Sequence, residues 1–234
     1  MVPRRLAPAL FEWAAEHSES EIRDKLLPRI RREQGIRDDS KLASLIREYL
    51  VWRQDVVKEA VRTGALKCLL VLLPHSREAI ARLILECDFA LHGEIRFSLL
   101  CLMSDPTYIG ASSSDAFGLL QSVCGYMKKA KHDCGLSLWM AGHLLSAHLS
   151  TSVGVPLLLD VVRHGRYVEG RRTALVALGA CFSHADGRTR RQIVRAVESV
   201  RRGDRSRTLR TWARIVKEEC TKPLAGSGRA VRRK

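Results

Sequence analysis

"VPLLLDVVRHGRYVEGRRTALVALGACF", residues 155–182, reads as two helices with a short break between them. The first is a dense apolar run. The second opens on Arg171 and Arg172 and continues into small and branched apolar residues at three- and four-residue steps, the helical period. Neither half alternates as a strand would.

Working outward, Ala174, Leu175 and Leu178 form a core of the type small–Leu–x–x–Leu. Similar cores occur at Ala65-Leu66-Leu69, Ser98-Leu99-Leu102 and Ser137-Leu138-Ala141, with a degenerate one at Leu209-Arg210-Ala213. Their spacings are 33, 39, 37 and 35 residues, and each is preceded by a second, more irregular helical segment. Such pairs cannot bury their apolar faces alone, so neighbours must stack. Turn-rich stretches near Pro74, Met103–Asp115, Ser150, His184 and Arg201 separate the segments. Ser76, Asp115 and Ser206 sit where N-caps belong.

Residues 155–182, with "R–x–x–A–x–x–A–L–G" in the second helix, resemble a HEAT-type unit of the armadillo/HEAT superfamily. Residues 188–217 resemble a following unit, except that Arg210 and Trp212 replace small apolar residues. The resemblance implies an all-α, right-handed α-solenoid of stacked antiparallel helix pairs, about five of them, with a binding surface that is often concave. We expect an N-terminal helical cap over residues 1–36, repeats over 37–220 and a flexible basic tail over 221–234.

Charge divides the chain. Its net charge is +15, yet residues 151–234 hold 20 Lys/Arg against 7 Asp/Glu while residues 1–150 hold 20 against 18. A general arginine bias would raise both parts alike. Concentrated positive charge points to an acidic partner, nucleic acid or an acidic protein. The seven cysteines (Cys68, Cys87, Cys101, Cys124, Cys134, Cys181, Cys220) contain no CxxC pair. With no secretory signal read in "MVPRRLAPALFEWAAEHSE", reduced thiols and a cytoplasmic, nuclear or nucleoid setting are expected. Residues 134–159 lack Asp, Glu, Lys and Arg, but "STSVGVP" interrupts them. They read as a buried helix, a loop and the start of another helix rather than a span.

Positive charge is poorly placed at an electropositive helix N-terminus. Nevertheless Arg171 and Arg172 open one helix, Arg188, Arg190 and Arg191 the next, and Arg205 and Arg207 the last. An anion bound at those ends would make the placement favourable. At 100° per residue, Arg188, Arg191, Arg195 and Arg202 lie opposite Ile193, Val194, Ala196, Val197 and Val200. Arg207, Arg210, Arg214 and Lys217 form a second row beside the stripe Leu209, Trp212, Ala213, Val216. Glu198 is the main acid near them. The expected anion-binding set is therefore Arg171, Arg172, Arg188, Arg191, Arg195, Arg207, Arg210, Arg214 and Lys217, recognising a phosphate backbone with little sequence preference.

Catalytic patterns are lacking. No GxSxG elbow or GxxxxGK loop occurs. His143 and His148 are five apart and do not share a helix face, and "KHDC" at 131–134 has no partner cluster. No catalytic residue, metal or organic cofactor is expected. Two alternatives to a nucleic-acid module stand: a scaffold docking an acidic protein, and a HEAT-like DNA glycosylase. The glycosylase needs a carboxylate to stabilise a cationic sugar, drawn from Asp160, Glu169, Asp186 and Asp204.

Overall fold

Leucine, alanine and arginine favour helix, and the chain folds accordingly. The computed structural model describes residues 6–52, 58–86, 89–105, 108, 114–131, 135–147 and 153–221. Among them there is no strand. The elements are α1 (Pro8–Glu16), α2 (Glu19–Glu21), a π-helical turn (Ile22–Leu26), α3 (Leu27–Gln34), α4 (Asp39–Trp52), α5 (Glu59–Val71) and α6 (Leu73–Glu86). There follow α7 (Phe89–Met103), α8 (Ser114–Lys129), α9 (Gly135–Ala147), α10 (Gly154–His164), α11 (Val168–Phe182), α12 (Gly187–Gly203) and α13 (Arg207–Thr221).

Local chemistry sets several boundaries. Ser18 and Glu21 form a reciprocal capping box at the start of α2. Gly35 ends α3 in the left-handed region, φ 66°, where a Cβ would be strained. Asp186 accepts the Thr189 N–H at 2.7 Å and opens α12, and Ser206 accepts the Leu209 N–H at 3.4 Å on α13. Ser76 does not cap. α6 already begins at Leu73, and the buried Ser76 hydroxyl donates to the Leu69 carbonyl at 2.7 Å, tying α6 to α5. Asp115 lies one residue inside α8.

Packing follows alternate helices. α4 packs on α6, α6 on α8, α8 on α10 and α10 on α12, while α1 packs on α5 and α5, α7, α9, α11 and α13 follow one another in the same way. The five small–Leu cores fall on α5, α7, α9, α11 and α13, so the sequence repeat marks every second helix. Their leucines and alanines join one continuous core running from Leu6 to Val216. Small residues are needed where backbones meet. A Cβ on Gly64 would lie 1.8 Å from the Phe11 carbonyl oxygen, and one on Gly170 would lie 2.0 Å from that of Met127. These contacts seat α1 on α5 and α11 on α8.

The uncharged stretch 134–159 supplies α9 and α10, with residues 148–152 outside the described set. No described helix is long and apolar enough to cross a membrane. Cys68, Cys101, Cys124, Cys181 and Cys220 are free thiols; Cys87 and Cys134 lie outside the described residues. Burial pushes the Cys68 thiol up to about 12 and those of Cys124 and Cys181 up to about 11. They behave as small hydrophobes rather than nucleophiles. The tail from 222 onward also lies outside the described residues.

Candidate anion-binding surface

The arginines near helix starts have a use the sequence does not reveal. Arg171 in α11 donates from Nε to the Val162 carbonyl at 2.8 Å, at the end of α10. Arg190 in α12 donates to the Phe182 and Ser183 carbonyls at 3.0 and 2.7 Å, at the end of α11. Arg210 in α13 donates to the Asp204 and Arg205 carbonyls at 2.6 and 3.2 Å, just past α12. Arg96 in α7 does the same to the Ile84 carbonyl of α6, at 2.9 Å. A chain that turns back on itself brings the start of one helix beside the end of the last. A cation there meets unpaired carbonyls and the negative pole of the preceding helix, which is favourable. These side chains cap the neighbouring helix, so no bound anion is needed to explain where Arg171, Arg190 and Arg210 sit.

The nine expected residues divide accordingly. Arg171 also pairs with Asp204. Arg172 pairs with Glu169 at 2.9 Å and lies over the Trp212 ring, 5.7 Å from its centroid. Trp212 is thus half-buried beneath a guanidinium rather than sealed in the core. Lys217 reaches Glu198 at 3.0 Å, where Arg201 and Arg202 also converge. Hydrogen bonds from Arg201, Lys217 and Arg202 hold the Glu198 carboxyl far below the ordinary range. The remaining five, Arg188, Arg191, Arg195, Arg207 and Arg214, are exposed. Among the described residues none of the five guanidinium groups is ion-paired, although Arg188 lies in the field of Asp186, whose carboxylate also accepts the Arg188 backbone N–H.

Their placement is set by packing. On α12, Ile193, Ala196, Val197 and Val200 are buried while Val194, expected with them, lies at the edge of the stripe and is exposed, and on α13 Leu209, Ala213 and Val216 are buried. The free arginines lie on the opposite side of each helix. The two helices pack on one another, and α11 packs on both; Glu198 and Lys217 mark the seam between them. On each helix the free arginines therefore face away from that helix's own buried stripe.

Arg195 additionally lines a cleft of about 380 Å³ with Arg163, Arg171, Ser199, Gly203 and Asp204, where α10, α11 and α12 meet. Arg163 was not singled out from sequence. It occupies the last turn of α10, where a basic residue reads as helix-end chemistry. Only the fold shows that this end adjoins Arg171.

The acids considered for catalysis are engaged elsewhere. Burial alone would raise the Asp160 carboxyl, but hydrogen bonds from Lys128 and His164 outweigh it and hold it low. His164 Nδ1 lies 2.6 Å from Asp160 Oδ1. Asp186 caps α12, and the Thr189 N–H holds its carboxyl below the usual value. Glu169 holds Arg172. The Asp204 side chain, 8% exposed, pairs with Arg171 and accepts the Ser206 N–H at 2.9 Å.

No protein family, curated protein or solved structure matches the chain.

Proposed function

We propose that the chain is a HEAT-type right-handed solenoid of antiparallel helix pairs whose C-terminal hairpin binds a polyanion, most suitably a nucleic-acid backbone. The alternate-helix packing and the small–Leu cores on α5, α7, α9, α11 and α13 support the architecture. The observation that carries the function is the group Arg188, Arg191, Arg195, Arg207 and Arg214. They are five exposed guanidinium groups on the last two helices, opposite the buried stripe of each, and none of the guanidinium groups is ion-paired among the described residues. A solvated terminal face would be expected to mix signs. Guanidinium forks match phosphate oxygens bidentately, and Arg210, bonded only to carbonyls, adds positive field beside them, whereas Arg171, Arg172 and Lys217 are each neutralised by a carboxylate. Binding through these groups is non-catalytic, steep in salt and nearly indifferent to sequence.

Salt titration tests the reading directly. With five phosphate contacts, log K against log salt should fall with a slope of about −4.5 on duplex and about −3.5 on single strands. A flat salt response, or affinity for DNA and RNA no greater than for heparin of equal charge, would remove the nucleic-acid reading.

A protein partner is the second reading. It is favoured by exposed Leu136 and Trp139 on α9, Val176 on α11 and Ile215 on α13, apolar positions along one row of helices. Complete displacement of nucleic acid by an acidic protein would favour it. The glycosylase reading has less support, because Asp160, Glu169 and Asp204 are held in ion pairs and Asp186 caps α12.

A further inference from the structure

We propose that the cleft between α10 and α12 is a discrete site for a phosphate monoester, the terminal phosphate of a nucleic-acid strand, which shares Arg195 with the hairpin set but is separate from Arg188, Arg207 and Arg214. This inference rests on the polyanion reading above and specifies one locus within it.

The cleft gathers three guanidinium groups, Arg163, Arg171 and Arg195, around about 380 Å³ of space. That volume admits a phosphate with its sugar rather than a single ion's worth of water. Asp204 is the one carboxylate in the lining, and both its oxygens are engaged: Oδ2 with Arg171, Oδ1 with the Ser206 N–H. Its charge is cancelled by Arg171, whose Nε is fixed on the Val162 carbonyl. Arg171 is thereby held in place at the cleft wall, with N–H donors to spare out of five. Arg163 and Arg195 are exposed, have no partner among the described residues, and leave the cleft with two uncompensated positive charges.

Helix ends would oppose an anion here, because α10 and α12 both finish at this edge. Three of the carbonyls at these ends are occupied, however. Val161 accepts the Gly165 N–H at 2.8 Å, Val162 accepts Arg171, and Val200 accepts the Asp204 N–H at 3.1 Å. The Ser199 hydroxyl, also in the lining, adds a neutral donor. Two excess charges suit a group carrying close to two negative charges, which a phosphate monoester does near pH 7 and an internal phosphodiester does not.

The test compares a 5′-phosphorylated oligonucleotide with its 5′-hydroxyl counterpart, and titrates inorganic phosphate alone, on the full chain. Three proteins are needed: the natural chain, Arg163→Ala/Arg195→Ala and Arg188→Ala/Arg207→Ala/Arg214→Ala. All the substitutions are at exposed helical positions, where alanine preserves helix.

The natural chain should favour the phosphorylated strand about tenfold, the worth of one good charge-assisted hydrogen bond. The cleft variant should bring that ratio to near one. The hairpin variant should bind both strands more weakly with the ratio preserved. Salt-dependent strand binding with no terminal preference and no saturable phosphate binding overturns the cleft site while leaving the polyanion reading intact. A ratio that falls equally in both variants also overturns it. Saturable phosphate binding lost only in the cleft variant, with no strand binding at all, sustains the site and removes the polyanion reading.

Discussion

Arginines in α4–α7 and in α12–α13 are the same residue in the same helical setting, yet they end in different places. Arg47 of α4 meets Glu86 of α6 at 2.7 Å, and Arg62 of α5 meets Glu94 of α7 at 2.6 Å. Lys128 and Asp160 continue this pattern from α8 to α10, and Arg171 meets Asp204 one step further on. Each pair spans about one sequence repeat, so these ion pairs run along the rows of helices. In α12–α13 Glu198 draws Arg201, Arg202 and Lys217 to the seam, and the guanidinium groups of Arg188, Arg191, Arg195, Arg207 and Arg214 form no ion pair among the described residues. Ion pairing along the rows thus consumes charge in the first region. In the second, excess charge is left on the surface, where it can act on something else.

The largest expected effect tests that difference. Arg188→Glu/Arg207→Glu/Arg214→Glu should lower affinity for an oligonucleotide on the order of a thousandfold near physiological salt and reduce the salt slope by about three. Arg23→Glu/Arg32→Glu/Lys41→Glu reverses as much charge on exposed positions of the N-terminal region. It should change affinity only a few-fold, through net charge alone. Equal losses from the two triple variants would mean that the protein's overall charge, not the hairpin, does the binding.

Next in size is a stability contrast between two carboxylates. Asp204→Ala removes a nearly buried acid that holds both Arg171 and the turn before α13. It should cost about 2–3 kcal/mol in denaturant unfolding, below the range for fully buried pairs because Arg171 stays partly exposed. Glu94→Ala removes an acid that is 82% exposed and should cost under about 0.5 kcal/mol. If the two lose the same stability, burial does not separate the pairs as described.

The architecture was more legible in the sequence than the chemistry. Five small–Leu cores at near-regular spacing mark alternate helices because a small residue followed by leucines is what a helix needs when it packs closely on its neighbours. The cap at Ser206 and the α12 and α13 boundaries were also readable, since each is a local signal. Ser76 was not, because only one residue interrupts α5 and α6, and its hydroxyl is used between them. The roles of Arg171, Arg190 and Arg210 depend on which carbonyls lie beside them after the chain turns. That is a tertiary fact, and sequence spacing points equally well to a bound anion. Arg163 is unmarked in the sequence for the same reason.

A smaller effect sharpens the comparison from the other direction. Glu198→Gln removes the acid shared by Arg201, Arg202 and Lys217. Three cations at the hairpin seam would then lose their anchor, and oligonucleotide affinity should rise about threefold with the salt slope steepening by about one. No gain would place the seam outside the binding surface and confine binding to the outward arginines.

The smallest effect concerns acid. Hydrogen bonds from Lys25 and Ser18 lower the Glu21 carboxyl to about 2, from an ordinary 4.5. A depressed folded value means that its contribution is complete above pH 4.5 and disappears as pH falls towards 2. Glu198 is likewise held far below the ordinary range, by three cations rather than one. As acid is added, α2 and the π-helical turn should loosen before the α12–α13 seam does. Hydrogen-exchange protection, corrected for intrinsic rates, would show it as an earlier loss in residues 18–26 than in 193–217. Ser18→Ala, which removes the other half of the capping box, should lower that protection at neutral pH by roughly the worth of one cap, about 1 kcal/mol. It should also shrink the acid-dependent part, because Glu21 would lose the Ser18 donor that helps keep it ionised. Simultaneous loosening of both regions would mean that the chain opens as one unit, and that the seam draws no extra acid resistance from its three cations.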